Sequence, residues 1–262
     1  KATRVVDDTE PVLDSRIKEA LLANTITFLN NAEKLSAYKV KVRRGLILAG
    51  APGNGKTMSC RWLARLCEDY GLSCEGFTNS DVVKAIRDDE LPDLMNAANL
   101  VLFDDLDISF FANREGHRAD QRSVCSVLSA MDGIRSYNMP VVRIFSTNEN
   151  TVNLDRAFRR PGRIDRVIAF GPPSAAIRDE YVQKIWPEDI RKAIDVPVLI
   201  RETNGNSVAE MEEIKSLLVQ HYLDVKVWDL NHAIREFKSR EKETLAVKEK
   251  LKDASKSEAL TE

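Results

Sequence analysis

No apolar run in this chain of 262 residues approaches the ~20 needed to cross a bilayer, so no membrane span is expected. No secretory leader is expected either, since the first residue is Lys1 and no basic, apolar and small-residue stretch follows it. The chain is therefore expected to be a piece of a longer protein. Charge of one sign is missing too, since 39 Lys and Arg against 41 Asp and Glu leave a formal charge of −2, with both signs interspersed. Such a surface has no global field to hold a polyanion, and a nucleic-acid partner is not expected. Cysteine is sparse. Cys60, Cys67, Cys74 and Cys125, with His117, His221 and His232, show no C-x-x-C or H-x-x-x-H spacing, which argues against a zinc-type site. Sparse cysteine suits a reducing cytosol, so a cytoplasmic location is expected. Cys60 and Cys67 lie seven apart on a predicted helix and share a face as small buried side chains. What remains, 43% hydrophobic and 31% charged, is the composition of a globular protein with room for one large domain and an appendage.

Short apolar runs alternate with segments of helical spacing. A helix is predicted from Asp14, a good N-cap, because Ile17, Leu21, Leu22, Phe28 and Leu29 fall on one face of a 3.6-residue period. A basic connector, Lys39 to Arg44, leads into Leu46-Ile47-Leu48-Ala49, then a glycine-rich turn, then helical spacing at Met58, Trp62, Leu63 and Leu66 closed by Gly71. Further apolar runs at Leu100–Phe103, Val141–Phe145 and Val167–Phe170 predict an α/β fold, a parallel sheet covered by helices on both faces. After Gly171-Pro172-Pro173 the strands stop, and helical spacing over Ile177–Trp186, Val208–Leu223 and Trp228–Phe237 predicts a small all-helical domain. The expected division is a large α/β domain over 1–171, a helical lid over 172–239 and a charged tail over 240–262 that frays from helix into disorder.

Gly50-Ala51-Pro52-Gly53-Asn54-Gly55-Lys56-Thr57 fits the phosphate-binding pattern G-x-x-x-x-G-K-[ST], between a predicted strand and a predicted helix that continues at Met58. Glycines let backbone N–H groups turn toward phosphate oxygens, and the helix N-terminus adds a favourable dipole. Lys56 is expected to reach the terminal phosphates and Thr57 to offer its hydroxyl oxygen to Mg²⁺. A plain glycine-rich turn would match these four fixed positions in about one chain in a hundred. Asp104 and Asp105 end an apolar run 48 residues after Lys56, at the sheet edge where ligands bind in parallel α/β folds. Asp104 is expected to hold Mg²⁺ through water, and Asp105 to orient the attacking water or accept its proton. Asn148 ends the next strand; its amide suits the attacking water or a γ-phosphate, and equally an ordinary turn. Residues 154–166, LDRAFRRPGRIDR, carry five arginines in thirteen positions, suited to bidentate phosphate contact or to a solvated face. No [NT]-K-x-D guanine-reading motif is present, which favours ATP over GTP.

Taken together, GAPGNGKT, LVLFDDLD (100–107), LSAMDGI (128–134) and STN (146–148) followed by LDRAFRRPGRIDR resemble the AAA family of ATPases, in the subfamily with a second region of homology. The resemblance spans Pro11 to Phe237: TNGNSVAEM (203–211) is similar to the stretch that packs beside adenine, and VWDLNHAI (227–234) to the last lid helix. VLDSRIKEALLANTITFL (12–29) and VRRG (42–45) resemble the branch that contains bacterial single-ring AAA proteins and the mitochondrial translocase of the Rieske protein. The resemblance implies a P-loop NTPase fold and hydrolysis of Mg-ATP. It implies a homo-oligomeric ring, six copies, that remodels or translocates protein clients. It also implies Asn148 as the sensor, Arg160 and Arg163 as fingers reaching the neighbouring subunit's nucleotide, Met58 among the nucleotide contacts, and Val208 and Ala209 near the base. Two departures stand out. The family usually has Glu where this chain has Asp105, a side chain shorter by one bond of about 1.5 Å, which implies slow turnover or a displaced water. In the family the loop after the second strand also offers an aromatic residue to the ring's pore, where Lys84-Ala85-Ile86-Arg87 has Ile86, so threading of an unfolded client is not implied. The alternatives are a nucleic-acid motor or loader built on the same phosphate parts, and an ATP-dependent scaffold too slow to do work.

Overall fold

The computed structural model describes residues 10–106, 125–131, 139–148 and 156–258. His117, Asp107, the last three residues of LSAMDGI and the first two of the arginine segment lie outside them. The chain divides into two compact units, Lys1–Gly171 and Pro172–Glu262.

The first unit holds β1 (Arg43–Ala49), β2 (Cys74–Phe77), β3 (Leu100–Phe103), β4 (Val141–Thr147) and β5 (Arg166–Ala169). They form one sheet in the order β2-β3-β4-β1-β5, every pairing parallel. All of β3 and β4 is buried, because a central parallel strand has neighbours on both sides and helices over both faces. Alternate residues feed two cores. Ile47, Val101, Phe103, Val141 and Phe145 face one way, toward α5 (Asn79–Arg87), α6 (Leu91–Leu94) and α7 (125–131). Leu46, Leu48, Leu100, Leu102, Val142 and Ile144 face the other, toward α1 (Ser15–Asn24), α2 (Ile26–Asn30) and α4 (Lys56–Asp69). The short α3 (Ala32–Ala37) precedes β1.

Asp14 caps α1 as its sequence predicts, accepting from the backbone N–H of Arg16. The predicted single helix is broken at Thr25, however. Asn24 donates its amide to the Ala20 carbonyl, and Thr25 its hydroxyl to the Leu21 carbonyl. Such back-bonds compete with the helical ladder, and Thr25 leaves it. β2 had no apolar run to announce it: it is an edge strand, and Glu75 and Gly76 at its centre are exposed.

The second unit is helical: α8 (Ala175–Ile185), α9 (Glu188–Ala193), α10 (Val196–Glu202), α11 (Val208–Val225) and α12 (Leu230–Glu258). Ser174 caps α8, and Ser207 with Glu210 forms a reciprocal capping box on α11. Val182, Trp186, Leu199, Met211, Ile214, Leu218 and Ile234 bury the unit's core. α12 is one continuous helix across positions 239 and 240, where the sequence alone suggested a change of character, and it continues to Glu258. Among the described residues no helix is long and apolar enough to cross a membrane.

Candidate active site

The end of β1 turns into α4 through Gly50–Gly55. A Cβ on Gly50 would stand 2.0 Å from the Phe170 carbonyl oxygen, so only glycine fits beside β5 there. Gly53 and Gly55 have φ of 79° and 91°, the left-handed region that lets successive N–H groups of a loop converge on one point. Gly55 is also the N-cap of α4, so the loop opens on a helix N-terminus, with the phosphate-type geometry that GKT spacing predicts. Lys56 is buried, and its ammonium donates to Gly50 O (2.6 Å), Ala51 O (3.0 Å) and Asn148 Oδ1 (2.8 Å). Those three acceptors use all three donors, so an incoming phosphate must replace one of them. Burial pulls the Lys56 ammonium below its ordinary pKa, opposed by the carboxylates of Asp105 and Asp104. Ala51, Pro52, Thr57 and Met58 are exposed on the loop and first turn, while Asn54 is buried.

β3 and β4 deliver the acids. Phe77, Phe103 and Phe145 stand side by side on β2, β3 and β4, with Phe103 and Phe145 stacked at 4.8 Å. One step beyond this aromatic row the chain turns polar. Asp104 Oδ1 accepts from the Thr57 hydroxyl at 3.1 Å and from the Ser146 hydroxyl at 2.6 Å. Asp105 is exposed with φ 51°, and its Oδ1 accepts from Asn148 Nδ2 at 2.5 Å. Asn148 therefore bridges Lys56 to Asp105. Behind them, burial and then the charge of Asp104 push the Cys60 thiol up to about 12. Loop, hydroxyl, two carboxylates and amide meet at the carboxyl edge of three adjacent strands, as their sequence positions predict. The donor set fits a hard cation on a nucleotide: Thr57 and Asp104 place a hydroxyl and a carboxylate oxygen 3.1 Å apart beside the anion cradle.

The arginines are elsewhere. The short 3₁₀ turn Arg156–Arg159 leads to exposed Arg160 and to half-buried Arg163, whose guanidinium donates to Ala157 O at 2.7 Å. The Asp165 carboxylate clamps this loop to the start of β1, accepting from the N–H groups of Gly45 (3.0 Å) and Gly162 (2.9 Å). A Cβ on Gly45 would stand 1.6 Å from the Arg163 carbonyl oxygen. The arginine loop thus packs at the amino end of the strand whose carboxyl end carries Gly50. Val208 and Ala209 form the first turn of α11 in the second unit. Ile86 departs from its expected place: it sits within α5, half-buried against the core, rather than on a loop, because Thr78 and Asp81 close a capping box that makes residues 79–87 helical. Sequence reasoning gave no task to Ser146 or Asp165, although both lie within the STN and LDRAFRRPGRIDR segments, since a serine in a strand and an acid among arginines do not reveal their partners.

Residues 46–172 match the family described as the ATPase family associated with various cellular activities (AAA). The ATP-dependent zinc metalloprotease FtsH 2 of Symbiobacterium thermophilum is 29% identical over 204 residues, which cover 74% of this chain and 34% of that protein. FtsH 3 of Sphaerobacter thermophilus, also named an ATP-dependent zinc metalloprotease, is 28% identical over 257 residues, 87% of this chain and 51% of that protein. The ATP-dependent zinc metalloprotease YME1L of Drosophila melanogaster is 28% identical over 201 residues, 74% of this chain and 27% of that protein. The chain spans only about half or less of the length of these relatives.

Proposed function

We propose, starting from the membership of this chain in the AAA family of ATPases through residues 46–172, that it is a protein-remodelling motor subunit working in a closed ring of six copies. The domain is an ATPase, and its nucleotide is ATP with Mg²⁺. In this reading Gly50 to Met58 hold the phosphates through backbone N–H groups, and Lys56 exchanges a loop carbonyl for a phosphate oxygen. Mg²⁺, when bound by Thr57 and Asp104, supplies neutralisation of charge across the phosphate oxygens. Asp105 orients the attacking water or takes its proton, and Asn148, fixed between Lys56 and Asp105, holds that carboxylate in place. The first unit is the nucleotide-binding domain and the second the lid, with Val208 and Ala209 as its base-facing positions; the end of α12 is a charged tail. Protein clients are favoured by relatives that are named proteases. Their zinc chemistry is not carried over, since His117, His221 and His232 lack H-x-x-x-H spacing. Four free cysteines suit a reducing compartment such as the cytosol.

The observation that supports a ring is the placement of the arginine loop. Arg163 packs on Gly45, and the five residue steps from Gly45 to Gly50 span about 16 Å. An arginine reaches at most about 7 Å over the roughly six bonds from its Cα to a terminal nitrogen. Arg163 thus falls short of the phosphate loop of its own subunit, and Arg160, whose carbonyl accepts from Arg163 N–H at 3.1 Å, starts from the same loop, which supports a role for both at a neighbour's nucleotide. An arginine finger contributes about 10³ to 10⁵ in rate, against at most about 1 kcal/mol of stability for an exposed ion pair. Arg163→Ala is expected to bind ATP and hydrolyse almost none. Mixing it with Lys56→Ala subunits should restore activity at interfaces that pair an intact site with an intact finger. A mixture that assembles and stays inactive would sink the assignment.

A further inference from the structure

Ser146 is buried in β4, at 1% exposure, one register step past the pair Phe103 and Phe145 and so directly opposite Asp104. Its hydroxyl donates to Asp104 Oδ1 at 2.6 Å and accepts from the backbone N–H of Asp105 at 2.8 Å. Its carbonyl accepts from Leu106 N–H at 2.8 Å. One residue thus grips three consecutive positions at the point where β3 ends. A hydroxyl has one donor and two acceptor sites, so a single serine can serve a carboxylate and an amide at once, which no alanine, valine or cysteine side chain does as well.

We propose that Ser146 is a positioning residue of the ATPase centre: its hydroxyl holds Asp104 against Thr57 for the metal and holds the Asp105 backbone in the turn that presents its carboxylate to Asn148. The inference rests on the ATPase reading of this site. The two acids are adjacent in sequence yet have separate tasks, and a strand alone would send their side chains to opposite faces. Asp105 avoids that by leaving the strand with a positive φ, and the N–H that a regular ladder would have paired is taken by the serine hydroxyl instead. The contact to Asp104 is charge-assisted, and it leaves the carboxylate's Oδ1 shared between two hydroxyls, those of Ser146 and Thr57. Neither contact touches the phosphate cradle.

The test compares Ser146→Ala, Ser146→Thr and Lys56→Ala with the unaltered chain. The readouts are steady-state ATP hydrolysis across a Mg²⁺ titration and binding of a fluorescent ATP analogue in EDTA. Ser146→Ala should lose about 10- to 100-fold in kcat and need about 3-fold or more Mg²⁺ for half-maximal rate, with Mg²⁺-free nucleotide binding unchanged. Ser146→Thr keeps the hydroxyl and should recover most of the rate. If the alanine variant does not fold, Ser146→Cys carries the same test, because a thiol of similar size is a weak donor and acceptor. A parental rate and Mg²⁺ half-point in the alanine variant, or equal loss in the alanine and threonine variants, overturns the assignment. So does a parallel loss of Mg²⁺-free binding, the mark of general disruption. An unaltered chain whose hydrolysis does not depend on Lys56 overturns the ATPase reading itself.

Discussion

A methyl group added at Gly45 should separate nucleotide binding from hydrolysis. The alanine Cβ would lie 1.6 Å from the Arg163 carbonyl oxygen, 2.7 Å from its carbon and 3.3 Å from Ile164 Cδ1, where contacts under 3.0 Å are not tolerated. β1 cannot retreat, being paired along its whole length to β4 on one side and, from Leu46 to Ala49, to β5 on the other. The arginine loop must move instead, by at least 1.4 Å to reach that 3.0 Å floor. The shift opposes the bond from Asp165 N–H to Gly45 O (2.8 Å) and the clamp of the Asp165 carboxylate on Gly45 and Gly162. Overpacking of this kind costs about 1 to 3 kcal/mol, and each lost hydrogen bond about 1 more. A loss of about 2 to 5 kcal/mol is tolerable for most domains but not negligible, so assays belong well below the variant's melting temperature. The phosphate loop lies at the other end of β1, and ATP affinity by calorimetry should stay within about 3-fold, under 1 kcal/mol. In the proposed ring, hydrolysis should fall about 10-fold or more, because arginines displaced by more than an ångström would no longer meet a neighbour's phosphate. A Gly45→Ala chain that melts and turns over like the parent would refute both the packing argument and the role given to the loop.

Asp105→Asn should still bind Mg-ATP, since Thr57 and Asp104 are intact, while hydrolysis falls about 10²- to 10⁴-fold; an unchanged rate in a coupled phosphate-release assay would remove Asp105 as the base. Cysteine labelling offers a check on the fold. At pH 8 iodoacetamide should modify exposed Cys125 quickly and leave Cys60 untouched, because burial and the Asp104 charge raise the Cys60 thiol to about 12 and so keep it protonated. Rapid modification of Cys60 in the folded chain, read by peptide mass spectrometry, would contradict the burial of α4 on the sheet.

The fold class and the chemistry of the centre were legible for different reasons. β1, β3 and β4 lie at the middle of a parallel sheet and are covered on both faces, which writes an apolar run into Leu46–Ala49, Leu100–Phe103 and Val141–Phe145, the last interrupted by Arg143, which is buried and donates to Met95 O and Asn96 Oδ1. Cys74–Phe77, at the edge, carries no such obligation and was invisible. The break at Thr25 depends on two side chains bonding back to carbonyls four residues earlier, a choice that hydrophobic spacing does not record. α9 and α10, of six and seven residues, are too short to establish a period, and the start of α10 is marked only by Asp195 before Pro197. Lys56, Thr57, Asp104 and Asp105 could be picked out because their chemistry demands fixed residue types next to a strand end. Asp165 binds two backbone N–H groups and Ser146 binds one beside the Asp104 carboxylate; a backbone N–H is common to every residue but proline, so these contacts leave no trace in the sequence. Ile86 was misplaced because the family resemblance puts a pore residue on a loop there, whereas the capping box of Thr78 and Asp81 makes this stretch α5.

The replacement of glutamate by Asp105 follows from the same geometry. A non-glycine residue with φ 51° is disfavoured by contact of its Cβ with backbone, and aspartate and asparagine are the side chains that most often accept it, being short and able to bond locally. Asp105 does bond locally, through Oδ1 to Asn148 Nδ2. A glutamate would gain about 1.5 Å of reach and lose this fit, so its extra length would carry the carboxylate past Asn148 instead of onto it. The turn set by Ser146 thus favours the shorter acid, and the shorter acid in turn needs Asn148, held by Lys56, to fix where its carboxylate stands. Aspartate at this position is therefore part of a mutually supporting set with Ser146 and Asn148, and changing any one of the three alters the geometry of the other two.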